Sequence, residues 1–236
     1  MPIAGIVARR YLAGLMSIAF GLAGCTTGSG AMLAAAQTAM LSGVSKAPAV
    51  GPTINLDPRF RYLRLTTLGQ TLFPVLGFID GETEVWYTAS GEVIRLRNGR
   101  LSETAGLPSD WRGVLSPAAP PWSGIGQTKA EYVRKRDVSP GYLFSVTDNV
   151  LATVSSAPTM SSLLGIAPTS LVWFEEVAST DDQRAKLPVA RFGVDMTVVP
   201  PKVVYSEQCI SNSLCLQIQE WSAAQQSAIY EKALKP

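Results

Sequence analysis

Histidine is missing from all 236 residues, and that absence excludes more than any motif includes. A Ser-His-Asp or Cys-His nucleophile needs an imidazole base, so both are ruled out. Cysteine is scarce too: Cys25, Cys209 and Cys215 are the full set. Three scattered thiols cannot build an all-cysteine zinc site, and no metal or cofactor is expected. An excess of either charge is also lacking. Lys+Arg number 20 and Asp+Glu 18. The first 24 residues hold Arg9, Arg10 and no acid, so residues 25–236 carry 18 of each sign. A neutral body of this kind is not built for a polyanion, and nucleic acid is not expected as a partner. No Gly-x-Gly-x-x-Gly occurs, and Gly124–Lys129 (GIGQTK) lacks the spacing of a phosphate loop. Chemistry by carboxylate, lysine or tyrosine survives, or no chemistry at all.

The N-terminus is richer in signal. Met1–Tyr11 carries two arginines, and Leu12–Gly24 is apolar and rich in Leu, Ala and Gly. That is the layout of an export signal over residues 1–24. A 13-residue helix covers about 20 Å, short of a ~30 Å hydrocarbon core, so a permanent span is disfavoured. Leu22-Ala23-Gly24-Cys25 resembles the bacterial lipobox, which implies cleavage before Cys25 and acylation of that residue. Several acyl chains anchor stably where one does not. Thr26 comes next rather than Asp, which favours the outer membrane. Thr26–Gly30 then reads as a tether, within a segment 25–55 that also holds a short predicted helix, Ala31–Leu41.

With Cys25 assigned to lipid, Cys209 and Cys215 form an even pair in an oxidising compartment. Ser211-Asn212-Ser213 between them offers turn chemistry. A disulfide there is a structural staple; the alternative is two buried free thiols.

From residue 56 the period changes to two. Phe60–Thr67, Gln70–Phe78, Thr83–Ala89 and Glu92–Arg97 are strand-like. Leu68-Gly69, Asp80-Gly81, Ser90-Gly91 and Asn98-Gly99 separate them with hairpin turn residues. Pro74 demotes its position to an edge or bulge. Residues 106–128 read as a Pro/Trp/Gly-rich connection around Trp111 and Trp122. A second β-rich set comes after it, punctuated by Pro188, Pro200 and Pro201, and Ser222–Leu234 is expected to close with a helical turn. The class is all-β: antiparallel meanders in one or two barrel or sandwich units, with halves at about 56–115 and 126–236.

Val85–Leu107 (VWYTASGEVIRLRNGRLSETAGL) resembles the YjbF/GfcB-type lipoproteins of group 4 capsule and exopolysaccharide loci. The resemblance rests on a Trp-bearing strand, a hairpin, Asn98-Gly99-Arg100-Leu101 and Thr104-Ala105-Gly106-Leu107. Further matches are VWFEEV at Val172, RFGVD at Arg191–Asp195, YSEQ at Tyr205–Gln208 and the terminal Lys235-Pro236. The cysteine pair and the Trp/Pro-rich connection fall outside that pattern. The resemblance implies an outer-membrane lipoprotein with a barrel-like fold and a role in polysaccharide export, and it carries over no catalytic residue.

Candidate contacts are chosen by residue type. Aromatic faces stack on sugar rings. Alternation in Thr83–Ala89 makes Trp86 a core residue, whereas Trp111 and Trp122 in the connection are sugar-contact candidates. Arg95 and Arg97 share a strand face, and Asn98-Gly99 brings Arg100 near. With Arg61 and Arg64 they are either a solvated outer face or a contact for acidic polysaccharide or a partner protein. Arg100 stands out by lying in the family motif, with a structural bridge as its other role. A glycosidase needs two carboxylates across a sugar. Glu175 and Glu176, as strand neighbours, point to opposite faces, and Asp181 and Asp182 lie in a solvated loop. The leading expectation is therefore a lipid-anchored accessory protein of polysaccharide export that binds and does not catalyse. The alternatives are a carboxylate-dependent polysaccharide enzyme and a scaffold for an outer-membrane complex.

Overall fold

A computed structural model describes residues 55–125 and 129–234. Cys25, the export signal, the helix expected at Ala31–Leu41 and Lys235-Pro236 lie outside the described residues.

The N-terminal meander forms where alternation and turn chemistry place it. Its strands are β1 (Tyr62–Thr67), β2 (Gln70–Leu72), β3 (Val75–Asp80), β4 (Thr83–Tyr87), β5 (Val93–Arg97) and β6 (Arg100–Ala105). The run expected as one strand from Gln70 to Phe78 splits at Pro74, which has no N–H to give a ladder. Leu68-Gly69 and Asn98-Gly99 both take left-handed φ values, 48° and 74°, 50° and 77°. Two successive positive φ values match the twist of the strands they join.

The connection at 106–128 is not all loop. It contains β7 (Asp110–Leu115) and a single helical turn, α1 (Trp122–Ile125). Then come β8 (Ala130–Ser139), β9 (Leu143–Ser155), β10 (Val172–Ser179), β11 (Ala190–Asp195), β12 (Lys202–Cys209), β13 (Cys215–Trp221) and α2 (Ala223–Leu234).

Every ladder is antiparallel, in the order β6-β5-β4-β3-β1-β13-β12-β11-β10-β9-β8-β7, with β2 on β1. One sheet thus runs through both segments of the chain, and the first strand pairs with the last, from Tyr62↔Trp221 to Thr66↔Gln217. The two ends of this path, β6 and β7, are neighbours in sequence and meet at a seam. Side chains bridge it: Thr104 Oγ1 donates to Asp110 Oδ1 at 3.0 Å, and the Trp111 N–H donates to Thr104 Oγ1 at 3.0 Å. The result is a nearly closed twelve-strand barrel.

The interior is filled by two clusters. One joins Leu65, Trp86, Ile94, Trp111, Ile210 and Leu216. In the other, α1 folds inward and sets the Trp122 ring 5.2 Å from Phe174 and 4.8 Å from Phe192. Cys209 and Cys215 are opposite one another at the end of β12 and β13, and they are disulfide-bonded. The bridge holds the hairpin whose Ile210 carbonyl accepts the Trp111 indole N–H at 2.7 Å.

Candidate functional site

Following the strands up and down shows which loops share an end of the barrel. The β3–β4 turn, the β5–β6 turn and the β11–β12 loop lie together with the start of β1 and the close of β13. Between them opens a cavity of about 480 Å³. Leu63, Trp86, Leu96 and Ile218 make an apolar floor, and Val198–Pro201 cover one flank.

Charge is confined to the rim. Arg61 Nη2 lies 2.8 Å from Glu84 Oε1 and 3.3 Å from Glu220 Oε1, and Lys202 Nζ lies 2.5 Å from Glu220 Oε2. Burial alone would lower Arg61, but the bonds and charges of Glu84 and Glu220 outweigh it and hold the guanidinium above its ordinary pKa. Arg61 also sits 5.6 Å over the Trp86 ring. Trp86 is fully buried, and its indole N–H has no acceptor among the described residues. Tyr205 borders the cavity, but its side chain is turned to the other face of the sheet, toward Ser162 and Glu207. Burial, followed by the pull of Glu207, pushes its phenol up to about 12, so at neutral pH it is a hydrogen-bonding group and not a base. Its hydroxyl donates to Glu207 Oε1 at 2.7 Å and accepts the Ser162 N–H at 3.1 Å. The arrangement suits a ligand with one apolar face and hydroxylated edges.

The residues singled out from sequence are distributed differently. Trp111 and Trp122 are not sugar platforms: they are 2% and 3% exposed, their rings packed in the core and their indole N–H groups spent on the carbonyls of Ile210 and Asn98. Composition hid this, because a Pro/Gly-rich stretch reads as loop even where it carries a strand. Trp86 is core, as alternation requires. Arg95 and Arg97 are on the surface, paired with Glu103 at 3.4 Å and Glu82 at 2.9 Å. Arg100 leaves them for the interior, where Nε donates to Glu176 Oε1 at 2.8 Å and the guanidinium stacks 3.7 Å from the Trp122 ring. The three arginines therefore form no common patch.

Glu175 and Glu176 point opposite ways: Glu175 meets Arg191 at 2.9 Å on the surface, and Glu176 is buried. Asp182 binds Arg184, which holds its carboxyl below the usual range. Of the mouth residues, Glu84 stood out in the sequence only as one carboxylate among several and Pro200-Pro201 only as punctuation, while Lys202, Glu220, Val198 and Val199 were not singled out. The turn at Asp80-Gly81 and the Pro200-Pro201 pair mark the loops, but only the pairing of β1 with β13 brings Arg61 to Glu220.

Comparison with known proteins bears on this geometry. Residues 59–214 match the family described as "Group 4 capsule polysaccharide lipoprotein gfcB, YjbF". The chain is 29% identical over 169 residues to an uncharacterized lipoprotein, GfcB, of Escherichia coli K12, covering 69% of this chain and 77% of that protein. It is also similar to the crystal structure of the hypothetical lipoprotein YmcC from Escherichia coli K12, with a TM-score of 0.56 at 20% identity. That match covers 79% of this chain and 95% of the other, and at such identity it speaks to the fold alone.

Proposed function

The chain belongs to the group 4 capsule polysaccharide lipoprotein family, and from that premise we propose that it is a lipid-anchored accessory protein of capsule or exopolysaccharide export that holds saccharide in its barrel mouth without transforming it. The mouth cavity is the observation that carries this reading. Its volume of about 480 Å³ lies within the roughly 300–1,000 Å³ of small-ligand sites. An apolar floor with an indole edge, under a rim of charged groups, matches the two-sided chemistry of a pyranose. The rim carboxylates support binding over catalysis. A glycosidase acid must be protonated and face a second carboxylate across the sugar. Here Glu84 and Glu220 each contact Arg61, and Glu82 contacts Arg97.

Cys25 supplies the anchor in this reading, and Thr26 after it favours the outer membrane. The first strand starts at Tyr62, at the same end of the barrel as the mouth.

The test is surface polysaccharide in a strain lacking the chain and complemented with variants. Cys25→Ser is expected to abolish complementation and release the chain from the membrane fraction. Val198→Trp, at a half-exposed wall position, is expected to reduce complementation with protein levels unchanged. Glu84→Gln and Glu220→Gln are expected to retain most of it. Complete loss from either glutamine variant, at normal protein level, would instead favour the carboxylate-enzyme alternative.

A further inference from the structure

On the far side of the β5–β6 hairpin from the mouth, a second cavity of about 240 Å³ opens in the seam between β6 and the end of β7. One wall carries Arg97, Arg100 and Ser102 together with Glu82, whose carboxylate is held on Arg97, and the other carries Val114, Ser116 and Pro117. It lies where the barrel does not zip. Lower in the seam Thr104 and Asp110 tie the two edges together. At this height β6 bonds inward instead, the Leu101 N–H donating to Gln208 Oε1 at 2.8 Å.

Two polar atoms of this wall, Arg100 Nη2 and Ser102 Oγ, are buried with no hydrogen-bond partner among the described residues. Buried polar groups are almost always paired, and each exception calls for a reason. Neither atom is left over from a loose side chain. Arg100 is clamped: Glu176 takes its Nε, the Tyr132 hydroxyl donates to the other Glu176 oxygen at 2.9 Å, and Trp122 lies flat against the guanidinium. Ser102 sits at the register shift between β5 and β6. Both residues line the cavity, and among the described residues nothing pairs with Arg100 Nη2 or with the Ser102 hydroxyl. The opposite wall is the end of β7 and the turn after it, closed by the Ala119 N–H to the Ser116 carbonyl at 3.2 Å.

Donor chemistry selects the ligand. An arginine nitrogen can only donate, and it donates most strongly to a carboxylate. Glu176 offsets part of the Arg100 charge, but Tyr132 occupies its second oxygen, and Arg97 at the entrance is balanced by Glu82. Val114 and Pro117 offer an apolar wall, and the volume suits one ring rather than a chain. We propose that the seam cavity binds a single carboxylate-bearing sugar unit, a hexuronate, with Arg100 Nη2 on its carboxylate and Ser102 Oγ on a neighbouring oxygen. This rests on the saccharide-binding reading above and adds to it the chemical class of a second subsite.

The five tryptophans give separable indole signals, with Trp86 reporting on the mouth and Trp122 on the seam. The full-length ¹⁵N-labelled chain, purified in detergent, is titrated with methyl β-D-glucuronide and with methyl β-D-glucoside. The glucuronide is expected to shift the Trp122 signal saturably, while the glucoside leaves it in place. Ser102→Ala is expected to weaken that binding by about five- to tenfold, the range of one lost hydrogen bond, without lowering the unfolding midpoint. A Trp122 signal unmoved by glucuronide, equal binding of both sugars there, or unchanged affinity in Ser102→Ala would overturn the proposal. Movement of Trp86 alone would overturn it while sparing the mouth. Stillness of every indole with purified capsule polysaccharide would bring both readings down.

Discussion

The barrel pairs its arginines with acids in two settings, and the settings decide what the pairs do. At the mouth, Arg61, Glu84, Lys202 and Glu220 keep between 29% and 47% of their side-chain surface in water. In the interior, Asp148 is fully buried and meets Arg136 and Arg134, each at 2.8 Å, and Arg136 also donates to the Ala185 carbonyl. Arg100 and Glu176 are nearly as enclosed, at 10% and 3%. Burial and the adjacent Glu176 push the Tyr132 phenol well up, so it stays a neutral donor. Water competes for the first group and leaves it free to exchange partners with a ligand. The second group has no such competitor and locks strands β6, β8, β9 and β10 in register. Equal contacts are thus an exchangeable rim in one place and a framework in the other.

Three substitutions probe that contrast. Asp148→Ala strands two guanidinium groups inside the barrel and is expected to lower stability by about 3–5 kcal/mol, read as a shift in the urea midpoint. Glu176→Gln keeps the shape but removes the charge facing Arg100, with an expected loss of about 1.5–3 kcal/mol by the same measurement. Arg61→Gln is expected to cost no more than about 1 kcal/mol, and the difference from the parent chain should shrink in high salt. A mouth substitution as damaging as Asp148→Ala would erase the distinction between the two settings.

The parts of the fold that were legible in the sequence are local ones. Asn98-Gly99 and Leu68-Gly69 set their turns within two residues, and alternation in Thr83–Ala89 sent Trp86 inward. The Cys209–Cys215 pair was legible for the same reason, with its loop closed over five residues. Trp111 was misplaced because β7 contains Gly113 at a φ of 57° and a register shift against β8. These break the alternation that marks a strand. Arg100 was legible as unusual but not as buried. The register shift beside Ser102 interrupts the inward and outward order of β6, and Glu176 lies 76 residues away. The mouth was invisible for a related reason, since its rim is assembled from both ends of the described chain.

The pairing of Tyr62–Thr67 with Cys215–Trp221 imposes an order of events. Until the thirteenth strand arrives, the first has one flank bare, and no barrel of this design can shut. Closing a ring through its two extremities is a slow, high-contact-order step. The ring therefore stays open until nearly all of the described chain is available, and it becomes rigid only when its last strand docks on its first.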